Sequence, residues 1–381
     1  MSNLRKIKRN ILLNPGPATT TDTVKNAQVV PDICPREEEF GSLMQFVSSE
    51  LTSLVADIEQ YTTILFGGSG TAAVESILSS VMDDGVIIII NNGAYGKRMC
   101  EIAEAYQLDW VEFISPADKP IHLDLLQLFI QTFPRTVSYL AVVHNETTTG
   151  LLNDIEMIGS ICKENKITMM VDAMSSYAAI PIEMKKMNIS YLAASSNKNI
   201  QGMAGVSFVV AKKSEIGKVK TKKPNNYYLN LYSQYTHFHE TGQMRFTPPV
   251  QTIYALKQAI LELKEEGINK RYERYSQAWE TLIAGITRLG LKHLVAADHH
   301  SKIITAIVEP ECEAYDFNSM HDYLYSNGIT IYPGKLNYLN SFRVANIGDL
   351  NKDDIELFLA LLEKYLQRIG FEIKGINSLT E

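Results

Sequence analysis

One lysine, Lys198, stands in the stretch YLAASSNKNIQGMAG at residues 191–205. Residues 191–194 are apolar enough for a strand, and Gly202 and Gly205 let the backbone turn tightly behind the lysine. A lysine at a strand end can be a solvated surface residue. It can also be a buried amine, kept neutral by desolvation and flanked by small residues that leave room for an aldehyde cofactor. Upstream, ITMMVDAMS at residues 167–175 ends a buried-type run on Asp172, 26 residues before the lysine. A carboxylate at the end of such a strand is placed to pair with a pyridinium nitrogen. Asp then Lys, each closing a strand, is a pattern suited to pyridoxal phosphate (PLP) chemistry.

Other residues carry chemistry with bland alternatives beside them. Gly67-Gly68-Ser69-Gly70-Thr71 follows a strand-like run and opens a helix, so it is either a phosphate cradle or a plain glycine turn. A dinucleotide fingerprint there needs an acidic residue about 20 positions on, where the chain has Asn91 and Asn92. Tyr95 follows the next strand and could stack on a flat ring or simply pack. His144-Asn145-Glu146-Thr147-Thr148-Thr149-Gly150 is a dense polar patch after a buried strand, and a hydroxyl such as Thr147 could bond a phenolate oxygen. Arg343, in a strand otherwise fit for burial, is a structural ion pair or a bidentate carboxylate clamp. His237-x-His239-Glu240 and His299-His300 lack third and fourth ligands, so no metal site is expected. Cys312, 114 residues after Lys198, sits between Glu311 and Glu313, which would raise its pKa and blunt it as a nucleophile.

These residues need a scaffold that delivers strand ends to one place. Strand-like runs at 86–91, 110–114, 139–143, 167–171, 191–194 and 206–210 join a β-branched run near residue 61, and helical segments at 95–106, 123–132 and 154–164 separate several of them. That alternation predicts an α/β fold with a mostly parallel seven-stranded sheet between helices, whose ligands sit beyond the strands' carboxyl ends. Apolar spacing predicts a helix over 42–58. A helical stretch over 249–289, broken near Gly267, leads into a smaller C-terminal α/β domain with strands near 303–308, 329–331 and 341–345 and helices at 317–326 and 352–368. The expected division is an arm over 1–20, a large domain over 21–260 and a small domain over 261–381.

At 381 residues and 45% hydrophobic content, the chain can bury a sizeable core. The net charge of −7 gives no reason to expect a nucleic acid partner. The basic cluster Arg5, Lys6, Lys8 and Arg9 reads as a solvated arm, and Lys218, Lys220, Lys222 and Lys223 as a solvated loop. Four scattered cysteines without a CxxC pair fit reduced thiols, and the expected location is cytoplasmic.

The segments LLNPGPATT, LFGGSGTAAVES, NNGAYGKRM, HNETTTGLLNDI, VDAMSSYAAIP, SSNKNIQG, RFTPPVQT, IYPGK and FRVANIG occur in that order. Together, over residues 12–365, they resemble the 2-aminoethylphosphonate–pyruvate transaminases, within the fold-type-I PLP group that also holds alanine–glyoxylate and serine–pyruvate transaminases. The resemblance implies Lys198 as the Schiff-base lysine, Asp172 on the pyridine nitrogen, Thr147 on the phenolic oxygen and Tyr95 stacked on the ring. It places Ser69, Gly70 and Thr71 at the phosphate, Asn197 beside the lysine, and Arg343 on the substrate carboxylate. It implies 2-aminoethylphosphonate and pyruvate as substrates. Thr247 matches a residue that relatives donate across a dimer interface to the neighbouring subunit's phosphate. The chain by itself is expected to struggle to bring Thr247 back to the glycine turn, which argues for a homodimer with shared sites. Rival readings are an alanine–glyoxylate or serine–pyruvate transaminase and, from another class, a PLP-binding regulatory protein without turnover.

Overall fold

The computed structural model describes residues 6–82, 85–222, 225–336 and 338–373, so Arg5 and Lys223 of the two basic runs lie outside the described residues. Seven strands form the central sheet: β1 (Tyr61–Gly67), β2 (Val86–Asn91), β3 (Trp110–Ile114), β4 (Val137–Val143), β5 (Thr168–Asp172), β6 (Ile189–Ser195) and β7 (Val206–Lys212). Their order is β1-β7-β6-β5-β4-β2-β3. All neighbours run parallel except β7, which is antiparallel to both β1 and β6. The expected α/β class and mostly parallel sheet are what the chain adopts.

Continuous β-branched runs such as VIIIIN are buried on both faces because helices cover the sheet above and below. Side chains alternate across it. Ile88 and Ile90 join a core with Leu140, Val142 and Leu192, while Ile87 and Ile89 join another with Val74, Ile77 and Met99. Helices α1 (Gly70–Val81) and α2 (Ala94–Ala105) follow β1 and β2. Their N-termini therefore stand at the sheet's carboxyl edge, where Asp172 closes β5 and Lys198 follows β6.

Helix α3 (Val250–Glu266) ends at Gly267, whose φ of +82° is open to glycine, and α4 (Ile268–Arg288) begins there. Leu256, Ile260 and Leu263 of α3 pack with the sheet, whereas Ala278, Leu282 and Ile286 of α4 pack with Phe342, Phe358 and Leu362. The N-terminal segment joins that second cluster through Ile11 and Leu13. There a three-stranded antiparallel sheet forms, with β8 (Ile304–Val308), β9 (Tyr332–Pro333) and β10 (Ser341–Ala345) in the order β8-β10-β9.

Two expectations change. The helix expected over 42–58 spans Glu38–Ser53, because Val55 and Ala56 both donate to the Thr52 carbonyl and the chain then turns at Asp57 to enter β1. Lys222, expected in a solvated loop, is anchored instead: its amine donates to the Tyr139 hydroxyl at 2.8 Å and to the Val81 carbonyl.

Candidate active site

Asp172 is the last residue of β5 and only 7% exposed. Its Oδ1 accepts from the Met174 N–H at 2.9 Å, and its own carbonyl accepts from the His144 N–H at 2.9 Å, which fixes the strand end. Burial raises the carboxyl to about 6, against the opposing pull of the Met174 bond and the charges of Lys198 and Arg98. A buried carboxylate that is costly to charge is suited to pairing with a cation placed opposite it.

Lys198 lies beyond β6, where Ser196 closes the turn: its N–H donates to Val206 at 3.0 Å and its carbonyl accepts from Gly202 at 2.8 Å. Asn199 clamps this loop to the Asp172 loop, donating to the carbonyls of Ser175 at 2.8 Å and Tyr177 at 3.1 Å. The Lys198 amine donates to the carbonyl of Pro15, from the NPGP segment far away in sequence. Burial pushes this amine down, reinforced by Arg343 and Lys335 and opposed by Tyr95 and Asp172. Asn199 is in turn held by Arg271, whose guanidinium donates to its carbonyl at 2.6 Å and to Glu266 at 2.6 Å.

Tyr95 stands in the first turn of α2. Its phenol titrates under the influence of the Thr147 hydroxyl and the Arg343 guanidinium. Burial pushes the phenol up, but the Thr147 bond and the charges of Lys198, Lys335 and Arg343 outweigh it and bring it below its ordinary value. Arg343 is 1% exposed; its Nε donates to Pro333 at 3.0 Å and one terminal nitrogen donates to the Thr147 carbonyl at 3.2 Å. The second cluster thereby delivers its arginine to the carboxyl edge of the large sheet.

Glu146, seen in sequence only as part of a polar patch, proves central. It is 0% exposed and accepts from the backbone N–H groups of Thr148 at 3.0 Å and Tyr95 at 3.3 Å, at the positive end of α2. A side chain on Gly93 would strike that carboxyl group, hence the glycine. Burial raises the Glu146 carboxyl despite these bonds, and its charge favours a protonated Arg343. The lone Glu followed by three threonines at 146–149 was the signal available. His144 is different: burial lowers it to about 3 and it bonds Ser176 at 2.9 Å, so it is neutral scaffold.

Ser69 is the N-cap of α1, yet its hydroxyl makes no capping bond to the helix. Gly70 and Thr71 begin that helix, so their N–H groups face an anion-binding position. Gly70, Thr71, Tyr95, Arg98 and Asp172 line one cavity of about 30 Å³. Its remaining wall includes Met174, a flexible side chain packed against Gly70. Asn197 sits beside the lysine with its Oδ1 accepting from Ser195 at 2.9 Å, and its carbonyl accepts from Ala18 at 2.9 Å.

Thr247 is exposed in the loop before α3. The chain alone is expected to struggle to bring this segment back to residues 69–71, and the contact seen nearby is between Pro249 and Gly67. Pro249 Cδ lies 3.5 Å from where a Cβ on Gly67 would stand, and Tyr228 donates to the Gly67 carbonyl at 3.3 Å. The reason is that α3 packs on the sheet face that also holds Leu65 of β1. Elsewhere, His300 is buried against Trp279 at 5.0 Å, His239 stacks on Tyr235 at 5.9 Å, and Cys312 contacts the Ile369 carbonyl at 3.8 Å.

The donor set fits PLP: a helix N-terminus with a hydroxyl for phosphate, a buried carboxylate for a protonated ring nitrogen, an aromatic wall, and a desolvated amine. Residues 24–344 match the family model described as Aminotransferase class-V. The chain is 37% identical over 93% of its length to a 2-aminoethylphosphonate–pyruvate transaminase of Bacillus cereus, covering 97% of that protein. It is 37% identical over 93% of its length to one of Klebsiella pneumoniae, covering 96%. A bifunctional phosphonoacetaldehyde hydrolase/aminoethylphosphonate transaminase of Clostridioides difficile is 37% identical over 94% of the chain, which spans 56% of that longer protein. In fold, a ureidoglycine–glyoxylate aminotransferase of Bacillus subtilis superposes with a TM-score of 0.88 at 21% identity, covering 98% of this chain and 97% of that one. An alanine–glyoxylate aminotransferase of Nostoc sp. does so with 0.88 at 24%, covering 96% and 97%. The resemblance read from the motifs thus holds across the fold, and the chain belongs to the class-V aminotransferases, a PLP-dependent family, in the group of the 2-aminoethylphosphonate–pyruvate transaminases.

Proposed function

We propose that this chain moves the amino group of 2-aminoethylphosphonate to pyruvate, yielding phosphonoacetaldehyde and L-alanine. The observation that carries the reading is the convergence of Lys198, Asp172, Tyr95, Thr147 and Arg343 at one sheet edge, in a chain 37% identical to enzymes of that name.

Bound PLP supplies the electron sink and holds the amino group between the two half-reactions. The rest falls to the chain. Asp172, by charge, keeps a proton on a ring nitrogen opposite it. Lys198 would hold the cofactor, and its desolvated amine, beside the Pro15 carbonyl, would take a proton from the amine-bearing carbon of the donor in one half-reaction and deliver one to C2 of pyruvate in the other. Thr147 and Tyr95 line one side of the site, and the Arg343 fork, steadied by the Thr147 carbonyl, grips paired anionic oxygens of phosphonate or carboxylate. Ser69, Gly70, Thr71 and Asn197 complete the cofactor's seat. Assay with 2-aminoethylphosphonate plus pyruvate against L-alanine plus glyoxylate tests the reading, and turnover confined to the second pair would sink it.

The working form on this reading is a homodimer in the cytoplasm. The support is an exposed aromatic patch beside the glycine turn. Tyr227 is 76% exposed, Phe246 lies 5.1 Å from Tyr228, and Arg245 stands 5.2 Å over Tyr227, with Thr247 among them. A second copy would cover that patch and place its own Thr247 at the phosphate. The division into domains is proposed near residue 260, with Gly267 as the point where the chain changes cores. Among the described residues, no helix is long and apolar enough to cross a membrane.

A further inference from the structure

Arg343 alone is a poor match for the proposed amine substrate. A guanidinium fork satisfies one charge and two oxygens, which is what a carboxylate offers. A phosphonate near neutral pH presents three oxygens and, like a phosphate ester, up to two negative charges. A site built to hold it has use for a second cation near the arginine and the reacting amine.

Lys335 has the required placement. Tyr332 of β9 pairs with Arg343 of β10, the Pro333 carbonyl accepts from Arg343 Nε at 3.0 Å, and the Gly334 N–H donates to Ser341 at 2.7 Å. A Cβ on Gly334 would lie 2.5 Å from the Ser341 carbonyl oxygen, so only glycine lets the turn run this close to the strand. The next residue is Lys335, exposed, with its amine 5.4 Å from the centre of the Tyr95 ring. Among the described residues no carboxylate forms an ion pair with it. Arg98 also stands 5.0 Å from that ring but lines the cavity with Gly70, Thr71 and Asp172, whereas Lys335 follows the turn that Arg343 holds. The two cations thus serve different ends of the site, and Lys335 serves the reacting end.

We propose that Lys335 is the second cationic contact for the substrate's phosphonate and, with Arg343, selects a phosphonate over a carboxylate. This rests on the reaction proposed above. Pyruvate, with one charge, uses Arg343 and has little need of Lys335.

Lys335→Gln and Lys335→Arg test it, with thermal midpoints confirming intact folds. Lys335→Gln should lower kcat/KM for 2-aminoethylphosphonate about 30-fold, chiefly through KM, as expected for one lost charge-assisted hydrogen bond. The value for pyruvate should stay within about threefold, and Lys335→Arg should restore most of the loss. Calorimetry with two unreactive ligands gives a second measurement: Lys335→Gln should weaken ethylphosphonate and leave propionate unchanged. Equal losses for both substrates, or none for the phosphonate, overturn the assignment. If the wild-type protein does not use 2-aminoethylphosphonate at all, the proposed reaction falls. The ethylphosphonate and propionate titrations then still decide whether Lys335 reads a phosphonate.

Discussion

Replacing Asp172 by Asn should make the cofactor-free protein more stable while it disables the enzyme. Burial lifts the Asp172 carboxyl from 3.8 to about 6. At about 1.4 kcal/mol per pKa unit, holding it ionised in the fold costs on the order of 3 kcal/mol at pH 8. The sign follows from linkage. A folded-state pKa above the unfolded one favours the protonated form in the fold, so that stability is fully present below about 3.8 and is lost as pH rises through about 6. Asparagine carries no charge, and its carbonyl can still accept the Met174 N–H. Urea denaturation of cofactor-free protein should therefore find Asp172→Asn more stable by roughly 3 kcal/mol at pH 8, or about 4 °C in Tm for a chain of this length, and within about 0.5 kcal/mol of wild type at pH 4. The same variant loaded with PLP should lose most of its turnover, because an amide cannot hold a proton on the ring nitrogen by charge. A variant equally stable at both pH values, or less stable at pH 8, would refute the claim that the carboxylate is buried at a cost. Near-normal kcat would refute its role.

Borohydride reduction of the loaded enzyme should fix the cofactor onto Lys198; peptide mass spectrometry locating the adduct on any other lysine rejects that assignment. Gly16→Ala puts a Cβ 2.5 Å from Lys198 Nζ at a backbone φ of +128°. Turnover should fall at least about tenfold, with a stability loss of roughly 1–3 kcal/mol; unchanged turnover would show that the NPGP segment does not confine the lysine. Mixing Lys198→Ala with Thr247→Glu subunits should restore part of the activity, since one of the two sites in a mixed dimer carries neither lesion. No recovery despite proven subunit exchange, or an active monomer in sedimentation, argues against shared sites.

What the sequence by itself determined is local. The runs ending at Asp172 and before Lys198 could be read as strand ends because a two-residue alternation or an unbroken apolar run, closed by small residues, depends on neighbours along the chain. The glycines at 67–70 marked the helix start that could hold an anion for the same reason. The ordered motifs carried the family. Tertiary structure alone decided the environment of those groups. Arg343 meets the Thr147 carbonyl across 196 positions of sequence, and the Pro15 carbonyl meets the Lys198 amine across 183. Glu146 becomes the buried anchor of the α2 N-terminus only once β4 and β2 lie side by side. The approach of Pro249 to Gly67 follows from α3 packing on the face that holds Leu65. Burial and the charges around a group are sums over contacts distant in sequence, so no reading of spacing could supply the raised Asp172 carboxyl, the lowered Lys198 amine or the turn that brings Lys335 to Tyr95.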